Sequence, residues 1–435
     1  MKRFLRHILF LLPVAVLCAC TDPGQQPENK GDSKPSAAEL EGTTTVAKMP
    51  KSKKRGVSFS IGNVTDAFIL ADFITWHYNW GNTANGGSEV LSYLEQNDVD
   101  YCPMCWNGSY SKDRIRKYVQ EHPNTRYLLG FNEPNLTDQA NMTPQKAAEL
   151  WPDVVALARE LNLKLGAPAM NYGTLSGWSD PVKWLDAFFS QPGISIDDID
   201  FIPIHCYMTT CSGVKGFVEK FQKYNKPIWM TEFCAWDISG VDVQKSYMSD
   251  VLNYFEYTDL VERYAWFIPR SNNALNSKPY NQLLTKQSPI TLTPLGEIYA
   301  GMSSQNKSVC LDVSYPLLAQ NYTDFNGYPT VTNTTDEGSI NPLMLYNLSN
   351  NRWVQYQIDA VKYSNTVSIR YATAIDAQVA LYIDGEPQQM ITLPNTGGMN
   401  NWQTFTVKDF PVQGRHFFRV HVMNGTINLS YMQFK

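Results

Sequence analysis

The chain has 435 residues, of which 43% are hydrophobic and 18% charged, and its formal charge is −5. This composition suits packed domains and excludes a largely disordered chain, and the length predicts two or three domains. No basic stripe stands out in the folded part, which argues against a nucleic-acid partner. Aromatic residues reach 13%, a supply that serves cores and also suits stacking on sugar rings.

The first 20 residues predict a targeting segment. Three cationic residues precede the apolar run ILFLLPVAVL (8–17), which is too short to span a bilayer comfortably. The run leads into LCAC (17–20), which resembles a bacterial lipobox with cleavage before Cys20 and lipid on its sulfur. We therefore expect a lipoprotein of a bacterial cell envelope, on the outer membrane or cell surface. An ordinary secretory signal is the alternative.

Residues 21–54 are polar, rich in Pro, Gly, Ser and Lys, and without an apolar period. Such a composition predicts a flexible linker.

From residue 55 to residue 302, short apolar stretches alternate with helical stretches. Amphipathic spacing predicts helices over 143–162 and 242–257. Eight strands alternating with helices over about 250 residues indicate a (β/α)₈ TIM barrel, with an open doubly wound sheet as the rival. No Gly-rich phosphate loop follows the first strand, which disfavours the rival. The predicted strands are 55–60, 73–80, 100–106, 126–133, 164–170, 200–207, 227–233 and 262–268.

Two of these strands end in a glutamate. Glu133 ends the fourth strand in GFNEPN (130–135), and Glu232 ends the seventh in PIWMTEF (227–233). A buried, unpaired carboxylate is costly, so such residues are usually paired or functional. Two carboxylates facing each other across a barrel mouth are what glycosidic bond cleavage requires, one as proton donor and one as nucleophile or base.

Six cysteines remain after the targeting segment. Cys102 and Cys105 have zinc-like spacing, but residues three apart on a strand point to opposite faces, which argues against a shared metal. Buried free thiols are the expected state. Cys206 and Cys211 flank a short loop, and a disulfide between them stays open.

Residues 309–435 contain short alternating strands with the turn dipeptides DG (384–385) and NG (424–425). This pattern predicts a β-sandwich of the jelly-roll kind. The joining segment 303–309 is short, so we expect the two domains to touch.

The run from SFSIG through WHYNWG, LLGFNEPN, PIHCY and WMTEF to YAWFIPR resembles glycoside hydrolase family 128 of clan A, over about residues 55–302. The resemblance implies a (β/α)₈ barrel that hydrolyses β-1,3-glucan with retention. It also implies the site residues. They are Glu133 as acid/base, Glu232 as nucleophile, Asn132 on the sugar 2-OH, His205 and Tyr207 as groups orienting the nucleophile, Trp266 under the −1 sugar, and Tyr78, Trp80 and Trp106 as subsite walls.

An acid/base must hold a proton before the first step, and a nearby anionic nucleophile raises its pKa by repulsion. We therefore expect a raised pKa for Glu133, and hydrogen bonds from Tyr207 or His205 that keep Glu232 ionised. Trp178 and Trp236, in loops after strands five and seven, are either subsite aromatics or loop anchors.

The C-terminal region, over about 315–435, resembles a family 6 carbohydrate-binding module. The family's calcium-holding acids correspond to LAQ (318–320) and a position near Ser430, so a calcium site is not expected. Met399 stands where the family has a Trp. Tyr346 and Trp402 are left to sandwich a sugar, with Asn428 to hydrogen-bond it. A degenerate module that only supports the barrel is the alternative.

Two other functions stay open: hydrolysis of another β-linked glucan or mannan, and a non-catalytic glycan-binding surface lipoprotein. Metal-dependent hydrolysis is disfavoured because no HExxH or paired His-Asp spacing occurs. We expect no cofactor and no metal, a β-glucan polysaccharide or oligosaccharide as partner, membrane contact through the lipid anchor, and a monomer.

Overall fold

The computed structural model describes residues 34–271 and 277–435, which form an N-terminal α/β part and a C-terminal antiparallel β part. The predicted targeting segment 1–20, with Cys20, and the first residues of the predicted linker lie outside the described residues. Within the described residues, no helix combines the length and the apolar character that a membrane crossing needs.

All eight predicted strands of the α/β part are present and run parallel. A short strand, β1 (Thr44–Val46), precedes them. The eight are β2 (Arg55–Ser58), β3 (Trp76–Tyr78), β4 (Asp100–Tyr101), β5 (Tyr127–Leu128), β6 (Lys164–Leu165), β7 (Ile202–Cys206), β8 (Ile228–Phe233) and β9 (Val261–Trp266). Six form one sheet in the order β4-β3-β2-β9-β8-β7, and β5 pairs with β6.

Two isolated parallel bridges continue this pairing. Met104, beyond β4, bridges to Leu129, beyond β5, and Gly166, beyond β6, bridges to Phe201, before β7. The predicted strand 100–106 is shortened to β4 because Pro103 has no N–H to donate to a ladder. Strands that are neighbours in the chain are therefore neighbours in space throughout this part.

Among the described residues, eight α-helices alternate with the strands, and six of them begin after a side chain that caps the first turn. The capping residues are Asn63, Ser111, Thr143, Asp180, Thr210 and Thr293. The helices are α1 (Val64–Ala71), α2 (Ser88–Gln96), α3 (Lys112–Glu121), α4 (Pro144–Glu160), α5 (Pro181–Phe189), α6 (Cys211–Glu219), α7 (Val241–Tyr257) and α8 (Pro294–Gly301). The two helices predicted from spacing are α4 and α7.

A layer of aromatic side chains lies among the strands of the α/β part. The rings of Phe201 and Trp229 stack with centroids 3.9 Å apart, and Trp76 lies 5.1 Å from Trp229. The guanidinium of Arg263 lies 4.4 Å from the ring centroid of Tyr127. Such close packing holds the strands in fixed positions, and with them the strand ends that carry the candidate site.

The C-terminal part is built on two long strands that pair with each other, with a bulge between Ala360 and Ser364. The predicted turn at Asp384 and Gly385 joins two strands, and both residues have positive φ, 49° and 77°. The strands are β10 (Val309–Asp312), β11 (Leu317–Leu318), β12 (Asp324–Asn326), β13 (Thr330–Asn333), β14 (Leu343–Ser349), β15 (Arg352–Thr373), β16 (Ala377–Ile383), β17 (Glu386–Leu393), β18 (Gly398–Asn424) and β19 (Thr426–Phe434). The hydrogen-bonded order is β13-β14-β19-β15-β18-β16-β17.

Residues 34–54 differ from the predicted flexible linker. Leu40 is fully buried, and β1 pairs in parallel with β10 of the C-terminal part. The stretch Thr44–Val46 is β-branched throughout, which favours a strand even inside a polar segment. The N-terminal segment therefore packs on the C-terminal part before it enters β2.

The two parts are in contact, as the short joining segment predicts. The carbonyl oxygen of Pro329 accepts hydrogen bonds from Ser249 and Asn253 of α7, at 3.3 and 2.9 Å. The hydroxyl of Tyr322 donates to Asn253 Oδ1 at 2.6 Å. These polar contacts are buried, so they fix the C-terminal part against α7.

All six cysteines among the described residues are free thiols, and Cys206 and Cys211 are not joined. Burial raises the pKa of the Cys102 thiol to about 12 and that of Cys206 to about 11. These thiols are therefore protonated and unreactive near neutral pH.

Candidate active site

Glu133 stands five residues beyond the end of β5, on backbone held by the segment that follows β6. Asn132 bridges to Ala169, and the backbone N–H of Glu133 donates to Ala169 O at 3.0 Å. Glu133 has a φ of 43°, a left-handed conformation that is uncommon for a residue with a side chain. Such conformations cluster at functional sites, where the surrounding structure enforces them. The side chain is 6% exposed.

The Glu133 carboxylate has two polar neighbours. Asn171 Nδ2 donates to its Oε1 at 3.0 Å, and His205 Nδ1 lies 2.8 Å from the same oxygen. The sequence analysis did not predict Asn171. This residue comes directly after the fifth predicted strand, and Glu133 ends the fourth. The strand-end rule that found the glutamates would have found it.

Glu232 lies inside β8, and three donors surround it. Tyr78 OH donates to its Oε1 at 2.9 Å, and Trp80 Nε1 donates to the same oxygen at 2.7 Å. Tyr207 OH donates to Oε2. Hydrogen bonds to a carboxylate favour its charged form, which a nucleophile needs. Tyr78 and Trp80 were predicted as subsite walls, and the structure places them as donors to Glu232 instead.

His205 lies between the two glutamates. Its Nδ1 is 2.8 Å from Glu133 Oε1 and 3.5 Å from Glu232 Oε2. One ligand atom from each of the three residues lies within 4.8 Å of the others. The sequence expectation that His205 orients Glu232 is therefore incomplete, because the shorter contact of His205 is to Glu133.

Electrostatics in this triad differ from the expectation of a raised pKa for Glu133. Burial raises the pKa of Glu133, but the charge and hydrogen bond of His205 and the hydrogen bond of Asn171 outweigh burial and lower it. Burial lowers the pKa of His205, but the charges of Glu232 and Glu133 outweigh burial and raise it. These opposite shifts favour a proton on His205 over one on Glu133.

The tyrosines that hold Glu232 stay protonated. Burial and then the charge of Glu232 raise the pKa of Tyr78 and of Tyr207 well above the ordinary value. Both hydroxyls therefore remain donors across the physiological pH range.

Glu133, His205 and Glu232 are also close enough to share a metal ion. The donors around them argue for acid–base work instead. The indole N–H of Trp80 can only donate, and it points at Glu232 Oε1 at 2.7 Å. A cation on that oxygen would face this N–H and the Tyr78 hydroxyl, and both would have to move.

Asn132, next to Glu133 in the chain, has a hydrogen-bond acceptor that is not used by any described residue. It is 2% exposed, its Nδ2 donates to Gln139 Oε1 at 3.1 Å, and its Oδ1 has no partner among the described residues. A buried acceptor without a partner is unusual. A substrate hydroxyl would reach this buried acceptor only if neighbouring side chains moved.

Trp266 does not line the site. It is fully buried, and its Nε1 donates to Asn281 O at 2.7 Å. Its neighbour Phe267 lines a cavity of about 810 Å³ together with Phe59 and Trp236. Successive residues of a strand face opposite sides, so the prediction chose the wrong member of an adjacent aromatic pair.

The half-exposed Trp236 belongs to this cavity wall. Its ring lies 5.3 Å from the ring of Tyr207 and 6.2 Å from that of Phe267. The structure therefore favours a cleft position for Trp236 over a loop anchor. Trp178 is partly buried and carries Lys183 Nζ 5.4 Å from its ring centroid, which suits an anchor. Trp106, a predicted subsite wall, is partly buried against the inner aromatic layer.

The predicted sugar contacts of the C-terminal part do not all face outward. Tyr346 is 41% exposed, and Trp402 Nε1 donates to Thr335 Oγ1 at 3.0 Å. Asn428 is fully buried, where its Nδ2 donates to Met399 O and its Oδ1 accepts from Asn347 N. The prediction of Asn428 as a sugar ligand is therefore wrong, because its amide is used inside the protein.

The positions expected to lack calcium ligands hold neutral hydrogen-bonded pairs. Gln320 and Asn341 exchange two amide hydrogen bonds, at 3.2 and 2.8 Å. Ser339 and Ser430 share a hydroxyl contact of 2.9 Å. Calcium prefers anionic oxygens, and this cluster offers none.

Comparison with known proteins decides the class of the α/β part. The family model described as "Glycosyl hydrolase catalytic core" matches residues 58–299, more than half of the chain. The chain belongs to this glycosyl hydrolase family. A second model, "Carbohydrate binding module (family 35)", matches residues 325–434. The hydrolase thus carries a family 35 module, and the predicted resemblance of this region to family 6 is corrected.

One solved structure places the hydrolase among glycoside hydrolase family 128 proteins. An endo-β-1,3-glucanase of subgroup II from Pseudomonas viridiflava is 36% identical, over 57% of this chain and 98% of that chain, with a TM-score of 0.52. One from Sorangium cellulosum is 32% identical over 57% and 97%, with a TM-score of 0.49.

A curated relative, alkali-sensitive linkage protein 1 of Schizosaccharomyces pombe, is 29% identical over 264 residues. The match covers 57% of this chain and 44% of that protein, so the hydrolase spans less than half the length of that relative.

Proposed function

We propose that this hydrolase cleaves β-1,3-glucan by a retaining double displacement. The observation that carries the proposal is the pair of carboxylates, whose oxygens lie within 4.8 Å of each other. Retaining glycosidases hold their carboxyl groups about 5–5.5 Å apart and inverting ones about 6.5–9.5 Å apart. The match to an endo-β-1,3-glucanase supports the linkage.

In the first step, a Glu232 oxygen forms a bond to the anomeric carbon while the bond from that carbon to the glycosidic oxygen breaks. Glu133 delivers a proton to the leaving oxygen. In the second step, water attacks the same carbon, Glu133 takes the proton from that water, and the Glu232 ester bond breaks. The proton count balances over the two steps, and both glutamates return to their starting state.

His205 supplies a place for the proton between turnovers. Two carboxylates and one imidazole that share a single extra proton carry a net charge of −1, whether the proton is on His205 or on Glu133. Such a coupled group titrates as a unit. Substrate that excludes water makes three charged groups more costly than one, and the proton then moves along the 2.8 Å contact from Nδ1 to Glu133 Oε1.

We also infer that β2–β9 close into a (β/α)₈ barrel and that the module is a jelly-roll sandwich. The bridges from Met104 to Leu129 and from Gly166 to Phe201 support closure. In a barrel, the ends of β5 and β8 meet at one mouth, where Glu133 and Glu232 stand.

The stereochemistry of hydrolysis tests the proposal. Proton NMR of laminarin hydrolysis at early times should show the β-anomer of the new reducing end first. A first product in the α-anomer would reject retention. No release of reducing sugar from laminarin, curdlan or mixed-linkage glucan would reject the β-glucanase assignment and favour another linkage or a binding function.

We further propose that the mature protein is a lipoprotein anchored through Cys20. The tripartite segment ending in LCAC supports this anchor, since a lipid-modified cysteine with two or more acyl chains holds a protein stably on a membrane. Cys20→Ala should release the protein from the membrane fraction. A variant that remains membrane-bound would show that another element holds it there.

A further inference from the structure

Two strands of the module bend at one end of the domain, and three apolar side chains are exposed there. The bulge between Ala360 and Ser364 places Val361 and Tyr363 outside the ladder, 56% and 60% exposed. Tyr315 is 53% exposed and follows Val313, whose N–H donates to Asp359 O beside the bulge. Tyr315, Val361 and Tyr363 are called the apolar tip below.

Lys34 and Pro35 of the N-terminal segment lie at this same end of the module. Pro35 packs against the turn at Gly385, where an added Cβ would come within 3.0 Å of its ring. Lys34 Nζ lies 2.6 Å from Glu386 Oε1. The turn at Asp384 and the bulge at Ala360 lie at the same end of the module. Asp384 N–H donates to Phe417 O, and Phe417 is three residues from Gly414, which pairs with Ala360.

Several acidic groups near the apolar tip are paired with cationic side chains, while Asp312 accepts hydrogen bonds from Ser314. Asp384 accepts from His416, Glu386 is bonded to Lys34, and Asp359 pairs with Arg415. Lys362 is exposed within the bulge, and the chain terminates nearby, where Ser364 Oγ donates to Lys435 O at 2.8 Å. Exposed tyrosine, valine and lysine side chains suit the headgroup layer of a bilayer.

We propose that the apolar tip is a membrane-contact surface and that its partner is a phospholipid bilayer. The proposal rests on the lipid anchor proposed above. Thirteen residues lie between Cys20 and Lys34, and the fourteen steps along the chain allow a span of at most about 50 Å. Isolated exposed apolar residues are common and need no partner. Here three of them share one end of a domain with the attachment point of the tether.

This contact has a consequence for glucan access. The tip lies at the end of the module where the chain leaves for the membrane. Trp402 and Tyr346 lie toward the other end, near the pairings of Thr373 with Gly398 and of Ser349 with Thr426. A module that rests on lipid through its tip therefore presents these two aromatic residues away from the membrane.

Vesicle sedimentation of the processed, unlipidated chain (residues 21–435) tests the surface without the anchor. The vesicles contain phosphatidylethanolamine and phosphatidylglycerol. The test variant carries Tyr315→Ser, Val361→Ser and Tyr363→Ser. The matched control carries Ile340→Ser, Ile375→Ser and Met390→Ser, which remove equally exposed apolar side chains elsewhere on the module (57%, 58% and 65% exposed).

We expect the parent chain and the control to sediment with vesicles and the tip variant to bind roughly tenfold less, with unchanged melting temperatures. Equal binding by parent and tip variant, an equal loss in the control, or no sedimentation of the parent would overturn the proposal. A parent that dimerises without vesicles through the tip would overturn it in favour of self-association. Mass spectrometry of the full-length protein checks lipidation of Cys20 separately, so the two proposals fail independently.

Discussion

The catalytic part and the module place polar side chains in opposite ways. In the α/β part, Glu133 and Glu232 lie at or near strand ends and each accepts hydrogen bonds from side chains of other strands or strand ends. In the module, the side-chain amides of Asn428 and Gln320 form hydrogen bonds with other groups inside the protein. Strand ends that gather donors around carboxylates therefore predict a site, whereas amides that pair inside a domain do not.

The difference follows from how the two parts are built. Parallel strands that alternate with helices bring their carboxyl ends to one edge, so a residue's place at a strand end already predicts its neighbours. Antiparallel strands joined by turns have no such common edge, and whether an amide faces a ligand or a carbonyl depends on the turn. The following predictions test this contrast, from the largest effect to the smallest.

Replacing the nucleophile should have the largest effect. Glu232→Ala should lower kcat on laminarin by about 10⁴-fold or more, because no covalent intermediate can form. Added azide should restore turnover and give an α-glycosyl azide. Glu219→Gln, an exposed carboxylate on α6, is the control and should behave as the parent. A β-azide from Glu232→Ala would mean that the two glutamates exchange roles.

Replacing the acid/base should have a smaller effect that depends on the leaving group. Glu133→Ala should lower kcat on laminarin by about 10²- to 10⁴-fold, because the leaving oxygen loses its proton donor. An activated aryl glycoside needs little protonation, so formation of the intermediate should survive. Azide should then give a β-glycosyl azide. Equal losses on laminarin and on the aryl glycoside would contradict the assignment of Glu133 as the acid.

The pH profile tests the shared proton. The pKa of His205 is raised by Glu232 and Glu133 against the effect of burial. The proton is therefore held below that raised value and lost as the pH rises through it, and kcat/KM should fall there. In His205→Gln the fall should begin at lower pH, by about one unit or more, since one unit corresponds to about 1.4 kcal/mol of interaction.

His416→Gln, a histidine of the module that bonds Asp384, is the control for the pH profile. It should leave the alkaline limb where the parent has it. An unchanged limb in His205→Gln would show that the titrating proton belongs to another group.

Trp80 tests whether the donors around the nucleophile matter individually. Trp80→Phe keeps a ring but removes the N–H that lies 2.7 Å from Glu232 Oε1. Hydrogen bonds to charged groups contribute about 1.5–3 kcal/mol, so kcat should fall roughly tenfold or more. Trp402→Phe in the module should leave kcat unchanged. A Trp80→Phe variant with raised KM and intact kcat would return Trp80 to its predicted place as a subsite wall.

Much of the catalytic part could be predicted from the sequence, and the errors share one cause. The eight strands follow from apolar runs in the sequence. The two glutamates follow from their places at the ends of two of these runs. Trp266 was chosen over Phe267 because a sequence does not show which of two adjacent strand residues faces inward. Tyr78 and Trp80 were known as aromatic, but their polar atoms find Glu232 only through the pairing of strands far apart in the chain.

The module and the N-terminal segment were harder to predict. The prediction of a flexible linker was wrong over residues 34–54. The strand β1 in this segment depends on a partner, β10, more than 250 residues away. The inward turn of Asn428 likewise depends on Met399 and Asn347, which lie on other strands. Non-local pairing of this kind leaves no periodic signal in the sequence.

The smallest expected effect concerns calcium and the module. Gln320, Asn341, Ser339 and Ser430 satisfy one another without an anionic oxygen. A ligand stabilises a protein only if it binds the folded state, so a chelator should shift the melting temperature of the parent by less than about 1 °C. A sharp drop in chelator would show that calcium is held at other residues of the chain.

A designed variant tests whether added carboxylates turn this neutral cluster into a calcium site. Gln320→Glu with Ser430→Asp adds two carboxylates to this cluster, and Ser430 and Gln320 are both nearly fully buried. Buried like charges without a cation are unfavourable, so the double variant should melt lower than the parent in chelator. Calcium should raise its melting temperature because two anionic oxygens now join the neutral ones. If calcium has no effect on this variant, the cluster cannot form a metal site even with acids, and the neutral pairs are a packing feature of the module.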